Sequence, residues 1–581
     1  MADQTPITPN LPRAFFRRLE TQPELPLFAS RRDGRWTIMT TAETGEAVLR
    51  LAGGLIGLGV KPGDRVMIAA ENRTEWAIAD LAIMAVGGIV VPAYTTNTID
   101  DHAYILGHSG ASLAITSGGV LAENVLAAAK DQGLKIIITM EDITAPKGLS
   151  VMIWDDLLAG STPPADLDAR LEAIDADDTC CFIYTSGTGG RPKGVMLTHR
   201  SIQANIDAAI DLLEEGGCAT GQRFLSLLPL SHSYEHTAGL HLPIQTQSEI
   251  YYCESADRIA NDLAEVGPTL MTAVPRLYEV LYDRITRGVK AKGGLSEKLF
   301  HQAVRLGRKK RSTGLNPLEA IFDKLLDRLV RRKVRGRFGG RLQYFISGGA
   351  ALNPDIGTFF LGLGVNILQG YGQTEASPLI SANRPSKIKI ETVGPAVRGV
   401  EARLSPQGEI LVRGDMLMKG YWQDEAATAA TIVDGWLHTG DLGSIDADGY
   451  ITITGRAKDI IVNSGGDNIA PSRVEAMLSI QPEIEQVSVF GDRKPWLAAV
   501  IVPSAAVLEA AGDDTKAVEA AIGKAVDRAN ESLSKIERVR RFILADEPFS
   551  TANSQMTATL KPRRHIISDV YGARLNGLYR S

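Results

Sequence analysis

The chain has 581 residues, a formal net charge of −6, and is 44% apolar and 22% charged. It is too long for one compact core, so two or more domains are expected of a composition ordinary for soluble globular proteins. The balance of charge carries no footprint of nucleic-acid binding, and Cys180, Cys181, Cys218 and Cys253 have neither metal-ligand spacing nor a disulfide framework, which suits a reducing cytoplasm.

Met1 to Pro6 lacks the basic-then-apolar layout of a signal peptide. The most apolar stretch, Leu81 to Tyr94, is broken by Gly87, Gly88 and Pro92, and falls short of the roughly 20 residues of a spanning helix. Residues 1 to 175 alternate strand and helix signals. Arg65 to Ala69 reads as a strand, Asn72 as the cap of a helix through Trp76 and Leu81, and Ile89 to Val91 as the next strand; Leu113 to Thr116 and Lys135 to Thr139 repeat the theme. This pattern predicts an α/β fold with mainly parallel sheets covered by helices.

Next comes Tyr184-Thr185-Ser186-Gly187-Thr188-Gly189-Gly190-Arg191-Pro192-Lys193-Gly194, between the apolar run Cys180 to Tyr184 and a short strand Val195 to Leu197. Hydroxyls and unhindered glycine amides wrap a polyphosphate, and Lys193 adds a positive charge. A Walker loop is excluded, because Gly194 stands where the magnesium-binding hydroxyl would follow the lysine. Thr198 is expected to cap a helix with Ile202, Ile206, Ala209, Ile210 and Leu213 on one face.

Phe224 to Leu230 reads as a strand leading into Ser231-His232-Ser233-Tyr234-Glu235-His236, whose spacing does not support a metal site and whose Glu235 and His236 read equally as solvated residues at a helix start. Between 283 and 341, positive charges exceed negative ones by roughly a dozen. Leu318, Ile321, Leu325 and Leu329 form an apolar stripe beside that basic face. Reversible contact with anionic lipid and a merely solvated insertion stay equally open.

Tyr344 to Ile346 predicts a strand opening into Ser347-Gly348-Gly349-Ala350-Ala351, where small residues leave room for a flat ligand. In Gln369-Gly370-Tyr371-Gly372-Gln373-Thr374-Glu375, the Tyr371 ring suits stacking on a purine, Gln369 its edge, and the Glu375 carboxylate a magnesium ion. From Glu409 the pattern turns to antiparallel hairpins, with Asp446 to Gly449 as a turn and Asp441 on a short loop, where it can accept both hydroxyls of a ribose. A flexible loop around Gly465 and Gly466, a helix capped by Ser472, a hairpin around Arg493 to Pro495 and a last helix from Val518 to Leu533 complete the reading.

The stretch from Thr185 to Gly194 closely resembles the phosphate-binding signature of the adenylate-forming (AMP-binding) superfamily, departing at Gly189, and the stretch from Tyr371 to Glu375 is similar to its second signature. The resemblance runs from Trp36 to Arg564. Pro268 to Tyr278 and the basic insertion look like the long-chain fatty acyl-CoA synthetase branch. The resemblance implies a large N-terminal domain (1–457) with a β-rich subdomain and a small mobile α+β C-terminal domain (458–581) pivoting at Lys458. It implies contacts of Thr185, Ser186, Gly187, Gly190, Lys193, Gly349, Gln369, Gly370, Tyr371, Gly372, Thr374, Asp441 and Arg456 with ATP. Glu375 and Thr188 would hold Mg²⁺, His232 would border an acyl tunnel, Gly465 and Gly466 would serve the coenzyme A side, and Lys561 would be the catalytic lysine, although Ala558 replaces the proline usual before it.

The implied reaction joins a fatty acid to coenzyme A through an acyl-adenylate, with ATP and coenzyme A as co-substrates. Loading of a carrier protein and a non-catalytic lipid-binding role are the alternatives. A homodimer and peripheral contact with the inner face of a membrane stay open, and no nucleic acid is implied.

Overall fold

The computed structural model describes residues 10–185, 191–512, 514–557 and 561–580. Two eight-stranded sheets dominate the N-terminal part. In the first, Thr179–Thr185, Ile89–Pro92, Arg65–Ala69, Leu113–Thr116, Ile136–Thr139 and Ser150–Ile153 run parallel, and Lys193–Thr198 and Gly420–Tyr421 add antiparallel strands beyond Thr179–Thr185. In the second, Asn366–Gly372, Tyr344–Ser347, Leu270–Ala273, Arg223–Ser226, Glu249–Tyr252 and Pro26–Arg32 are parallel neighbours, flanked by antiparallel Leu379–Ala382 and Arg35–Thr40.

The sheets share one core. Val66, Val90 and Cys181 of the first and Phe224, Tyr252 and Leu270 of the second belong to it, together with helix Thr74–Ala85. All 12 residues of that helix are buried, which suits a sequence with almost no polar face. Thr198 caps His199–Glu215 as expected, in a capping box with Ser201.

Asn72 does not cap. Arg73 holds the N-cap position without a side-chain bond, while the Asn72 amide donates to Ser226 Oγ (3.2 Å) and to the Leu228 carbonyl (2.7 Å) and its oxygen accepts from the Leu230 N–H (3.0 Å). It thereby ties the first sheet to the loop after Arg223–Ser226. That strand ends earlier than its apolar run suggests, because Leu227 to Leu230 turn away under these bonds.

The basic insertion is helical: Pro275–Lys292, Gly294–Ser312 and Pro317–Leu326, the last continuing through a π-helical turn, Asp327–Arg331, into Arg332–Arg337. Asp323, Leu326 and Arg331 face inward, with the Arg331 guanidinium donating to Asp323 Oδ1 (2.6 Å) and to the Ala303 carbonyl (2.6 Å). Gly307 lets Gly294–Ser312 lie against helix Pro354–Gly362, for a Cβ there would stand 2.0 Å from the Gly362 carbonyl oxygen.

Glu401–Leu404, Glu409–Arg413, Trp436–Ile445, Ile432–Val433 and Ile451–Arg456 form the antiparallel β-rich unit. Asp441 lies within strand Trp436–Ile445 rather than on a loop. Beyond Arg456 a separate core gathers around Val474, Val489, Ile501 and Ile522. Ile484–Phe490 and Leu497–Pro503 make the expected hairpin, and Val539–Leu544 joins it in parallel. Ser472 is not a cap, since helix Pro471–Ser479 begins after Ala470 with no side-chain bond. The last helix is Arg564–Leu578, not the one near Val518, which runs Thr515–Glu531. Ile567, Tyr571 and Leu575, spaced at i, i+4 and i+8, bury its inner face.

Two helical glycines separate close packing from open surface. Gly307→Ala should lower unfolding stability by about 1–3 kcal/mol through overpacking. Gly288→Ala, with nothing within 4 Å of the added carbon, should raise it by about 0.5–1 kcal/mol. Denaturant titration of both variants checks the two signs.

Candidate active site

The stretch from Thr185 to Lys193 joins a hairpin: Thr185 ends one strand, Lys193 opens its partner, and the two are register neighbours. Ser186, Gly187, Thr188 and Gly190 lie outside the described residues. Gly194 leaves room for the Tyr184 ring, 3.2 Å from where a Cβ would be. Lys193 Nζ stands 3.1 Å from Asp424 and 4.8 Å from the centre of the Tyr421 ring. The Tyr421 hydroxyl donates to Glu375 Oε1 at 2.9 Å. Tyr421 and Asp424 escaped the sequence reading, since nothing in a turn after a two-residue strand marks it as a neighbour of residues 193 and 375.

The second sheet delivers the other wall. Gly349 has φ +81°, which a side chain would strain, and a Cβ on Gly348 would press the Tyr234 ring at 3.1 Å. Strand Asn366–Gly372 ends at the site, where Gly372 brings its backbone against the Pro378 carbonyl, 1.8 Å from a notional Cβ. Gly370 lies one residue before Tyr371 on the same strand. Gln369 is not free to read a purine edge. Its amide donates to the Ile390 and Thr392 carbonyls and its oxygen accepts from the Leu352 N–H.

Tyr371, Asp441 and Arg456 converge. The Tyr371 hydroxyl donates to Asp441 Oδ2 at 2.6 Å, Arg456 Nε to Asp441 Oδ1 at 2.9 Å, and Asp441 and Arg456 are cross-strand register partners. Burial, then the neighbouring Asp441 carboxylate, hold the Tyr371 phenol well above its ordinary pKa. Thr374 is buried with its hydroxyl 3.1 Å from that of Ser233.

Lys561 arrives from the far end of the chain, on a loop where its N–H donates to Thr557 Oγ1 (3.1 Å) and its carbonyl accepts from the Thr557 N–H (2.9 Å). Crowding by protein and the positive Arg456 lower its ammonium pKa, and Asp441 partly opposes them. Burial, with Lys561 adding to it, takes His232 down to about 4, so His232 is a neutral imidazole at neutral pH. Its Nδ1 accepts from the Tyr234 N–H at 3.1 Å. The C-terminal part is held over this wall by contacts such as Arg276 to Glu485 at 3.2 Å. Lys458 occupies an exposed turn after Arg456, and Gly465 and Gly466 an exposed loop closed by Asn463 Oδ1, which accepts from the N–H groups of Gly465 and Asp467.

Among the described residues Glu375 has no ion pair. A half-buried carboxylate with one oxygen held by a phenol fits a hard divalent ion. Glu235 and His236, by contrast, are not solvated. Both are sealed: Glu235 accepts from Ser226 Oγ (2.6 Å) and Thr272 Oγ1 (2.5 Å), and His236 Nε2 lies 2.8 Å from Asp80 Oδ1. A π-helical turn, His236–His241, brings His241 Nε2 to 3.2 Å from the other Asp80 oxygen. Burial disfavours the Asp80 anion, but His236 and His241 outweigh it and hold the carboxyl below its usual range. Spacing within 232–236 gave no hint of Asp80, which lies more than 150 positions upstream.

The sequence matches the AMP-binding enzyme family over residues 15–422 and the AMP-binding enzyme C-terminal domain over residues 458–581. The chain belongs to the AMP-binding enzyme family. It is 33% identical to the long-chain-fatty-acid–CoA ligase FadD15 of Mycobacterium bovis, covering 98% of this chain and 97% of that one. It is 27% identical to the long-chain-fatty-acid–CoA ligase ACSBG2 of Rattus norvegicus, over 100% and 94%. Among solved structures, the A domain of a carboxylic acid reductase from Segniliparus rugosus shares the fold, with a TM-score of 0.78 at 22% identity over 98% of this chain and 94% of that one. In this family member, Lys561, Arg456, Asp441 and Tyr371 come together from four segments.

Burial raises the Glu235 carboxyl from 4.5 to about 7, against the opposing bonds from Ser226 and Thr272. The native state then holds a proton that the unfolded chain has released. This stability is complete below pH 4.5 and is lost as pH rises through about 7. Glu235→Gln should flatten the fall in Tm between pH 5 and 8 relative to the parent, as read by thermal unfolding across that range.

Proposed function

We propose that this protein ligates a long-chain fatty acid to coenzyme A at the expense of ATP, through an acyl-adenylate. The observation that carries the reading is Lys561 reaching the Asp441–Arg456–Tyr371 cluster, where a nucleotide's sugar and α-phosphate would lie together. The two full-length relatives named as long-chain-fatty-acid–CoA ligases support the choice of substrate.

A free carboxylate is a poor electrophile, since its leaving group would be oxide. Its oxygen attacks the α-phosphorus of ATP, the bond to the β-phosphate oxygen breaks, and pyrophosphate leaves. Lys561 neutralises charge growing on the α-phosphate, with Thr374 and Arg456 beside it; positioning and charge stabilisation do the catalysis, with no covalent nucleophile on the protein. Tyr371 offers its ring to adenine and Asp441 its oxygens to the ribose hydroxyls. Thr185, Lys193 and the residues between them take the β- and γ-phosphates. Glu375 and Thr188 would hold Mg²⁺, which offsets the charge of the departing pyrophosphate. His232, neutral, borders the carboxylate end of the acyl chain.

In the second half-reaction the sulfur of coenzyme A attacks the acyl carbon, the carbon–oxygen bond breaks and AMP leaves. The C-terminal domain, 458–581, rotates about Lys458 to withdraw Lys561 and bring Gly465 and Gly466 to the thiol, a hinge motion of a recognised type.

Mass spectrometry of products from ATP, Mg²⁺ and a mixture of short-chain, long-chain and aryl acids, with and without coenzyme A, tests the assignment. Acyl-CoA formed mainly from long chains is expected. Acyl-AMP that persists with coenzyme A present, or no nucleotide-dependent product, refutes it. Lys561→Ala should slow adenylation by about 10²–10³-fold while ATP still binds. Lys193 must leave Asp424 to reach a phosphate, so Asp424→Asn, which keeps a good helix cap for Glu425–Thr431, should lower the KM for ATP by about two- to fivefold with kcat unchanged.

A further inference from the structure

Helix Pro317–Leu326 carries its apolar stripe outward. Leu318 is 79% and Ile321 69% exposed, and Phe322, Leu325 and Leu329 are exposed beside them. Spacings of 3, 4, 7 and 11 from Leu318 put all five on one face. In a surface helix of a globular protein the apolar stripe ordinarily meets the core. Here the core is met instead by Asp323, Leu326 and Arg331, so the stripe is left over. A contiguous apolar strip with a polar rim marks an interaction surface.

The rim is basic. Lys324, Arg328 and Arg332 recur at i, i+4 and i+8 along one edge, and Lys333 follows; all four are exposed and none has an ion pair among the described residues. The acids of the same segment are already neutralised. Glu319 pairs with Lys309 (2.6 Å), Asp323 with Arg331 (2.6 Å) and Asp327 with Arg335 (2.9 Å). The surface therefore presents cations around an apolar strip.

We infer that the face of residues 318–333 docks the protein on an anionic lipid surface, with Leu318, Ile321, Phe322, Leu325 and Leu329 entering the acyl boundary and Lys324, Arg328, Arg332 and Lys333 meeting the headgroups. Charge complementarity selects this occupant. A second copy related by two-fold symmetry would set these cations against themselves, whereas an acidic bilayer face attracts them and takes up the apolar strip together. Helix Pro317–Leu326 connects to the site region through its neighbours. Its neighbour Gly294–Ser312 packs on Pro354–Gly362, the helix that follows Gly348 and Gly349, so an apolar acid dissolved in the bilayer would be within a few helices of the site.

Flotation of the full-length protein with vesicles of phosphatidylcholine alone, or with a third of the lipid replaced by phosphatidylglycerol, tests this without any use of the ligase reaction. Binding is expected on the anionic vesicles and should weaken with added salt. Arg328→Glu with Lys333→Glu should weaken it more than about tenfold, each charge accounting for about fivefold, and Ile321→Asp with Leu325→Asp should weaken it comparably. Both variants should retain the parental Tm and the parental activity on detergent-solubilised acid, as expected of exposed sites. Equal binding to both vesicle types, binding to neither, or binding unaffected by these variants overturns the inference. So does a solution dimer that Ile321→Asp with Leu325→Asp dissociates while vesicle binding is absent, which would assign the face to a second copy.

Discussion

Asp441 is nearly sealed from solvent within strand Trp436–Ile445, and a carboxylate in such a place stays charged only if partners replace its water. Antiparallel pairing sets Arg456 opposite it, and strand Asn366–Gly372 of another sheet brings the Tyr371 hydroxyl to its second oxygen. Arg456 is itself half exposed, so solvent screens the pair and it fixes geometry more than it adds stability. The β-rich unit and the large sheet are therefore held in one relative position by the same atoms that the proposed chemistry requires. Lys561 joins this cluster, its pKa lowered first by the protein crowded around it and then by Arg456.

A second tier supports this cleft from below. Segment Ser231 to His241 touches the site at one end, through His232 and through Ser233 on Thr374, and the shared core at the other, through His236 and His241 on Asp80. Glu235 between them binds Ser226 and Thr272 on adjacent parallel strands. Buried polar groups of this kind are costly to leave unpaired, and here Glu235 uses both oxygens while Asp80 Oδ2 and His236 Nδ1 have no hydrogen-bond partner among the described residues. The π-helical turn follows from the same requirement. It adds the residue that lets His236 and His241 face one carboxylate.

Lys193 and Glu375 show how the cleft manages charge of both signs. Lys193 rests on Asp424 and the Tyr421 ring, and Tyr421 in turn holds one oxygen of Glu375. In the proposed reaction a polyphosphate and its cation would exchange these half-exposed contacts for stronger ones, and the segment from Gly420 to Asp424 would hold both groups when the nucleotide is absent.

The sequence by itself determined the class of fold and the order of the signatures. Strand and helix periods are local, and hydroxyl-glycine-lysine and Tyr-Gly-x-Thr-Glu patterns are contiguous, so each is legible without knowing what lies opposite. Local cap signals were less secure. Asn72 and Ser472 look like caps, yet one is drawn into a bond network with a distant loop and the other lies a residue inside its helix. Only the tertiary structure decided that Gln369 is consumed by backbone carbonyls, that Glu235 and His236 are buried, that Asp80 is the companion of His236, and that Tyr421 and Asp424 stand beside Glu375 and Lys193. The stripe from Leu318 to Leu329 makes the same point, for a helical period reports which residues share a face but not whether that face turns inward. These outcomes depend on residues brought together by sheet order and helix packing, from 21 positions apart for Gln369 and Ile390 to more than 200 for Lys193 and Asp424, and a one-dimensional pattern holds no information about such burial or partners.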